Sequence, residues 1–215
     1  MAAEIHPAHL SQRAEQVTRG LHLEYATIAY NSLEAVIAIL AGFLAGSIAL
    51  MGFGIDSVIE VSSGLSLVWR LRSDADLARR EEAERISLRL VGISFVALAA
   101  YVAVDAAKSL LHSRAPDESL AGIALAALSI IVMPLLARAK RRVAAQIGSA
   151  ALTADARQTE LCMYLSAILL AGLLLNAAFG WWWADPVAAF AMTPIILWEG
   201  IQALRGRTCC ASCGH

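Results

Sequence analysis

Gly46-Ser-Ile-Ala-Leu-Met-Gly-Phe-Gly-Ile-Asp56-Ser-Val-Ile-Glu60 sets two carboxylates four residues apart in an otherwise apolar run. On a helix that spacing puts both on one face. The run belongs to a longer apolar stretch, about Ser47–Trp69, with no basic residue before Arg70. A helix of some 20 apolar residues crosses the roughly 30 Å hydrocarbon core of a bilayer. A carboxylate at that depth costs at least ~2.5–3.5 kcal/mol, which marks it as functional by default. Two like charges there repel, and the pair holds a proton until a divalent cation neutralises both groups and displaces it. Exchange of metal for proton is the chemistry this stretch points to.

The rest of the chain agrees with a membrane setting. Of 215 residues, 59% are hydrophobic and only 16% charged, and the mean hydropathy is +0.63, whereas ordinary globular domains are about 45–50% apolar and about 25% charged. Those values exclude a disordered chain, a collagen and a disulfide-rich secreted scaffold. The net charge of −1 provides no basic footprint for nucleic acid, and no nucleophile–base arrangement suggests an enzyme. Six stretches reach spanning length: about Leu21–Leu44, Ser47–Trp69, Ser87–Leu111, Leu120–Ala137, Ala150–Asn176 and Trp181–Leu204. β-barrel strands would be half as long and would alternate in polarity. The expected fold is an all-α membrane protein of six transmembrane helices. Residues 1–20 read as a cytoplasmic amphipathic segment without a cleaved signal peptide, 21–204 as the transporter domain and 205–215 as a Cys-rich tail.

Lys and Arg set the orientation. Arg13 and Arg19 precede span 1, six arginines surround the connection of spans 2 and 3, Arg138, Lys140, Arg141 and Arg142 lie between spans 4 and 5, and Arg205 and Arg207 follow span 6. The other side holds Lys108 and Arg114 alone. Both termini are therefore expected in the cytoplasm, with Trp181, Trp182 and Trp183 at the outer interface. The polar connection Arg70–Arg85 reads as a solvated helical extension of two spans. Among the remaining acids, Glu24 opens span 1, and Asp185 and Glu199 lie near the ends of span 6, where interfacial water lowers the cost. Asp105 has Lys108 one turn on as an ion-pair partner.

Span 5 repeats the frame of span 2. Ser47-Ile-Ala-Leu and Ser149-Ala-Ala-Leu each open a span, and counting nine and thirteen residues from the serines reaches Asp56 and Glu60 in one, Gln158 and Cys162 in the other. Secondary transporters place sites between such repeats near the midplane. Two donors from each helix make four, the number a tetrahedral cation requires.

At these residues the chain resembles the cation diffusion facilitator family of divalent metal/proton antiporters. The resemblance runs over residues 20–205 and is carried by Gly46–Glu60, by Ser149-Ala-Ala-Leu-Thr-Ala-Asp-Ala-Arg-Gln-Thr-Glu-Leu-Cys162 and by Trp183-Ala-Asp-Pro186. It implies a six-helix, usually dimeric domain in a bacterial inner membrane, with a transport site shared by spans 2 and 5. The family gives His or Asp, then Asp four residues on, from each span. Here the site would be Asp56, Glu60, Gln158 and Cys162. Glu60 is a mild departure. Gln158 is a weak neutral oxygen donor, and Cys162 a soft one that favours Zn²⁺ or Cd²⁺ over Mg²⁺ or Ca²⁺. The chain also reads as a short member without the cytoplasmic domain that most members carry after span 6. No cofactor is implied beyond the transported ion.

Further residues are secondary candidates. Asn31 and Glu34 share a face of span 1, which neighbours span 2 in the related fold, and would line the cytoplasmic vestibule. Asp155 matches the family motif and could attract incoming cations, while Glu160 can pair with Arg157. Cys209, Cys210, Cys213 and His215 put four metal-capable donors into seven residues, thiols in a reducing compartment. The reading is export of Zn²⁺, Cd²⁺ or Co²⁺ against protons. Two alternatives stay open: a small organic-cation/proton antiporter, which would want aromatic rings around the acids, and a membrane metal-binding partner working through its Cys tail.

Overall fold

The computed structural model of the protein describes residues 7–45, 48–112 and 120–206. These form α1 (Pro7–Ala45), α2 (Ile48–Arg72), α3 (Leu77–His112), α4 (Leu120–Ile147), α5 (Ala150–Phe179) and α6 (Ala184–Leu204). Among the described residues, Ser11–Leu44, Leu50–Arg72, Leu77–Leu111 and Leu120–Ile147 are long and apolar enough to cross a membrane, and Ala189–Leu204 is a shorter apolar helix. α1 runs through residue 20 without a break, so residues 7–20 are continuous with the first apolar helix and are not a separate one. The tail donors Cys209, Cys210, Cys213 and His215 lie outside the described residues.

Local chemistry explains the turns. Asp76 caps α3 by accepting from the backbone N–H groups of Ala78 (3.1 Å) and Arg79 (3.3 Å). α4 ends where Gly148 takes φ +66°, which lets the Ser149 N–H reach the Ala144 carbonyl at 3.0 Å. Ser149 then opens α5, its hydroxyl accepting from the Leu152 N–H at 3.1 Å. Both turns lie at one end of the bundle with the start of α1, because Arg13 donates to Asp74 (2.8 and 2.9 Å) and to the Ile147 carbonyl (3.0 Å). α6 runs toward the same end: its Leu204 packs against Gly92 of α3 so closely that a Cβ on residue 92 would sit 3.0 Å from its backbone nitrogen. This is the arginine-rich end. Gly180–Trp183, with the rings of Trp181 and Trp183 stacked 5.7 Å apart, marks the opposite end.

Two expectations about the arginine-rich end are corrected. Span 4 does not stop at Ala137, because α4 continues to Ile147. Its buried stripe (Gly122, Ala126, Ser129, Met133, Ala137, Lys140, Ala144, Ile147) keeps helical spacing through the charged run, with Arg138 and Arg142 on the exposed side. Nor is Arg70–Arg85 simply a solvated face. Arg70 is buried; it donates to Asp74 at 2.9 Å and also to Glu84. Glu84 in turn accepts from the Ser149 hydroxyl (2.9 Å) and the Ala151 N–H (2.6 Å), which holds the start of α5. Burial alone would raise the Asp74 carboxyl, but the hydrogen bonds and charge of Arg13, with Arg70 behind them, hold it below the ordinary value.

Candidate functional site

α2 brings Asp56 and Glu60 into the interior, both buried. Their common helix face packs against α5, whose first half is buried on most sides. Glu60 Oε1 accepts from the Thr159 hydroxyl at 2.6 Å. Glu60 Oε2 and Asp56 Oδ1 are buried without a hydrogen-bond partner among the described residues. Cys162, the free cysteine among them, is buried too and interacts through its side chain with both carboxylates. Three of the four expected donors are therefore neighbours. They are not closed around one point: among the described residues no three of His, Cys, Asp or Glu come together closely enough to hold a metal ion.

Gln158 is placed one turn nearer the arginine-rich end. Its carbonyl oxygen accepts from the Ser63 hydroxyl at 2.9 Å, and Ser63 also contacts the Ser94 hydroxyl at 3.0 Å. The atom left without a partner is the amide nitrogen, which cannot ligate a cation. Glu34 is also engaged, accepting from Ser57 (2.8 Å), Tyr30 (3.2 Å) and Ser129. Asn31 is fully buried, with both side-chain polar atoms unpartnered among the described residues. Glu160 faces outward and pairs with Arg141 (2.7 Å) and, as its spacing suggests, with Arg157 (3.5 Å). It does not join the interior group.

Asp155 belongs to a group that sequence reasoning missed. The Lys140 ammonium lies 2.5 Å from Asp155 Oδ2 and 3.2 Å from Glu24 Oε2, and all three side chains are fully buried. Glu24 is thus no interfacial acid. It heads the buried face of α1 that continues through Thr27, Asn31 and Glu34. The signal available was the unbroken period of α4 and the choice of lysine within a run otherwise made of arginine.

Between α2, α3, α5 and α6, on the side away from the arginine-rich end, a cavity of about 80 Å³ reaches Asp56. Phe53, Tyr101, Asp105 and Leu169 are among its walls. Tyr101 fits because residue 52 is glycine: a Cβ there would stand 1.5 Å from the Tyr101 hydroxyl oxygen. Asp105 feels the charge of Lys108, the local partner expected for it.

Residues 25–206 match the model of the cation efflux transmembrane domain. The chain belongs to the cation efflux family. A relative, the uncharacterized transporter sll1263 of Synechocystis sp., is 27% identical over 197 residues, covering 88% of this chain and 64% of its own length. The cation efflux domain thus spans a little under two thirds of that protein. The match takes in Glu34, Asp56, Glu60 and Asp155 and begins one residue after Glu24, and the apolar helices make the cation efflux domain an integral membrane protein.

Proposed function

We propose that this domain exports divalent transition-metal cations, Zn²⁺, Cd²⁺ or Co²⁺, from the cytoplasm in exchange for protons. The observation that carries the reading is the Asp56–Glu60 pair, two buried carboxylates one helical turn apart, each keeping an oxygen without a partner, with Cys162 against both. A divalent ion satisfies both oxygens and displaces the protons that otherwise neutralise them, and the thiolate sets the preference for softer ions. The donors must draw together to load, with Gln158 turning from Ser63 or a water taking the fourth position. In this reading all six helices span a bacterial inner membrane, the arginine-rich end is cytoplasmic, and two copies form the working unit. Lowering the pH on the arginine-rich side weakens loading, because metal ligands must be deprotonated. The tail cysteines would gather metal at the same side.

Uptake of Zn²⁺, Cd²⁺ and Co²⁺ into inside-out vesicles, with and without a pH gradient, tests this against Asp56→Ala. Gradient-dependent uptake that vanishes in the variant is the expected result. Uptake indifferent to Asp56→Ala overturns the site. A second reading, export of a lipophilic organic cation, gains from the cavity walls, where Tyr101 and Phe53 stand beside Asp56. Ethidium flux without metal flux would favour it. The tail-based partner reading requires that all activity be lost when residues 209–215 are removed.

A further inference from the structure

The Glu24–Lys140–Asp155 group has more acceptor capacity than its lysine uses. Glu24 Oε2 and Asp155 Oδ2 share the ammonium, while Glu24 Oε1 and Asp155 Oδ1 are buried without a partner among the described residues. Two carboxylates against one ammonium leave one acid that only a proton or a second cation can balance in a place closed to water, where an uncompensated charge is strongly unfavourable. A divalent cation would balance both carboxylates and offer contacts to all four oxygens.

The position is as telling as the charge. Asp155 lies seven residues before Cys162 on α5, about 10 Å nearer the arginine-rich end at 1.5 Å per residue. Thr159 stands between, its hydroxyl donating to Glu60 Oε1 and lying 3.3 Å from the Asp155 carbonyl oxygen. The group therefore sits on the line from the arginine-rich end to the paired acids. The choice of lysine fits a displaceable charge. Arginine supplies every other cationic side chain of the chain except Lys108, and its rigid fork favours permanent bidentate pairs, whereas an ammonium is a point charge on a flexible stem.

We propose that Glu24 and Asp155 form a second, inner cation site, which the Lys140 ammonium fills as a tethered counter-ion until the transported cation displaces it. The inference rests on the transport reading for its role but not for its existence. Lys140 is then a positioning residue that keeps a divalent ion from lodging there permanently.

The test uses the full chain in detergent, with Mn²⁺ and Zn²⁺ as probes in equilibrium dialysis and thermal melts. Lys140→Met should bind one more Mn²⁺ per chain than the parent and show a metal-dependent rise in melting temperature. The double variant Lys140→Met/Asp155→Asn should lose both. If Lys140→Met folds only when Mn²⁺ is present, that also supports the site. Parental stoichiometry, or misfolding with and without Mn²⁺, overturns it. Lys140→Arg preserves the ion pairs but not the displacement, so its metal uptake into vesicles should fall at least about tenfold; uptake at the parental rate counts against the proposal. Asp56→Asn separates the two readings, because it should remove the outer ion and leave the extra ion of Lys140→Met. A parent that binds no divalent ion while Lys140→Met binds one through Asp155 would end the transport reading and leave the inner site standing.

Discussion

Thr159 carries a role that no motif announces. Its hydroxyl donates to Glu60 Oε1 at 2.6 Å, and a buried carboxylate that loses this donor keeps the desolvation cost without that compensation. Thr159→Val, close in shape, should therefore cost about 1–3 kcal/mol in a thermal or denaturant melt and change the pH dependence of uptake, since the protonated acid needs that donor less. Cys162 and Gln158 should separate cleanly. Cys162→Ser exchanges a soft donor for a hard one and should weaken Cd²⁺ binding on the order of tenfold, about 1.4 kcal/mol in a titration. Gln158→Ala should weaken it less, because the Gln158 carbonyl already serves Ser63. The acids were legible because a carboxylate in an apolar run is costly wherever its helix packs. Thr159, Ser63 and Tyr101 were not: each is ordinary in its own span and acquires meaning only across a helix interface.

At the scale of elements, small residues decide how closely helices approach. α3 and α6 cross at Gly92 and Gly200, and a Cβ on Gly200 would stand 2.9 Å from Phe95 Cβ and 3.2 Å from the Gly92 carbonyl oxygen. Backbone cannot swing aside as a side chain can, so Gly200→Ala should destabilise by about 1–3 kcal/mol, read as a lower melting temperature in detergent. Gly52→Ala meets the far end of Tyr101 instead, and should drive the ring from the cavity wall and change access to Asp56 with a smaller loss of stability. Helix starts were marked unevenly: α5 begins at Ala150 as expected, whereas α1 begins by Pro7 and α3 at Leu77, well before the expected Leu21 and Ser87. Leu120 opens α4 as expected, and the Ser149 that frames the span 5 repeat is an N-cap, so that half of the repeated word has a local reason. Helix ends were poorly marked at the arginine-rich side. A charge run normally announces water, and here the helices continue through it, turning Lys140 inward and Arg138 outward within one turn. Periodicity extended past the last apolar residue would have recovered both Lys140 and the true length of α4.

For the whole molecule, the arginine-rich end is joined by one network. Arg13 of α1, Arg70 of α2, Asp74 of the turn and Glu84 of α3 connect to the start of α5. Asp74 sits at its centre with a lowered carboxyl. Its contribution is fully present above the unfolded value near ~3.9 and is lost as the pH falls through the lower folded value. Asp74→Asn should thus melt below the parent at neutral pH, by about 1–3 kcal/mol, and the gap should close in acid below about pH 4. In the proposed transport cycle, opening toward the arginine-rich end would loosen this network together with the Glu24–Lys140–Asp155 group, while the cavity already reaches Asp56 from the opposite end. The triad also has a history in time. Glu24 is synthesised 116 residues before Lys140, and Asp155 follows 15 residues after it. When α4 leaves the ribosome its lysine meets only the first of its two ion-pair partners. The second arrives with α5, so α4 can pack against α1 with that pair matched one to one before the excess acceptor is in place.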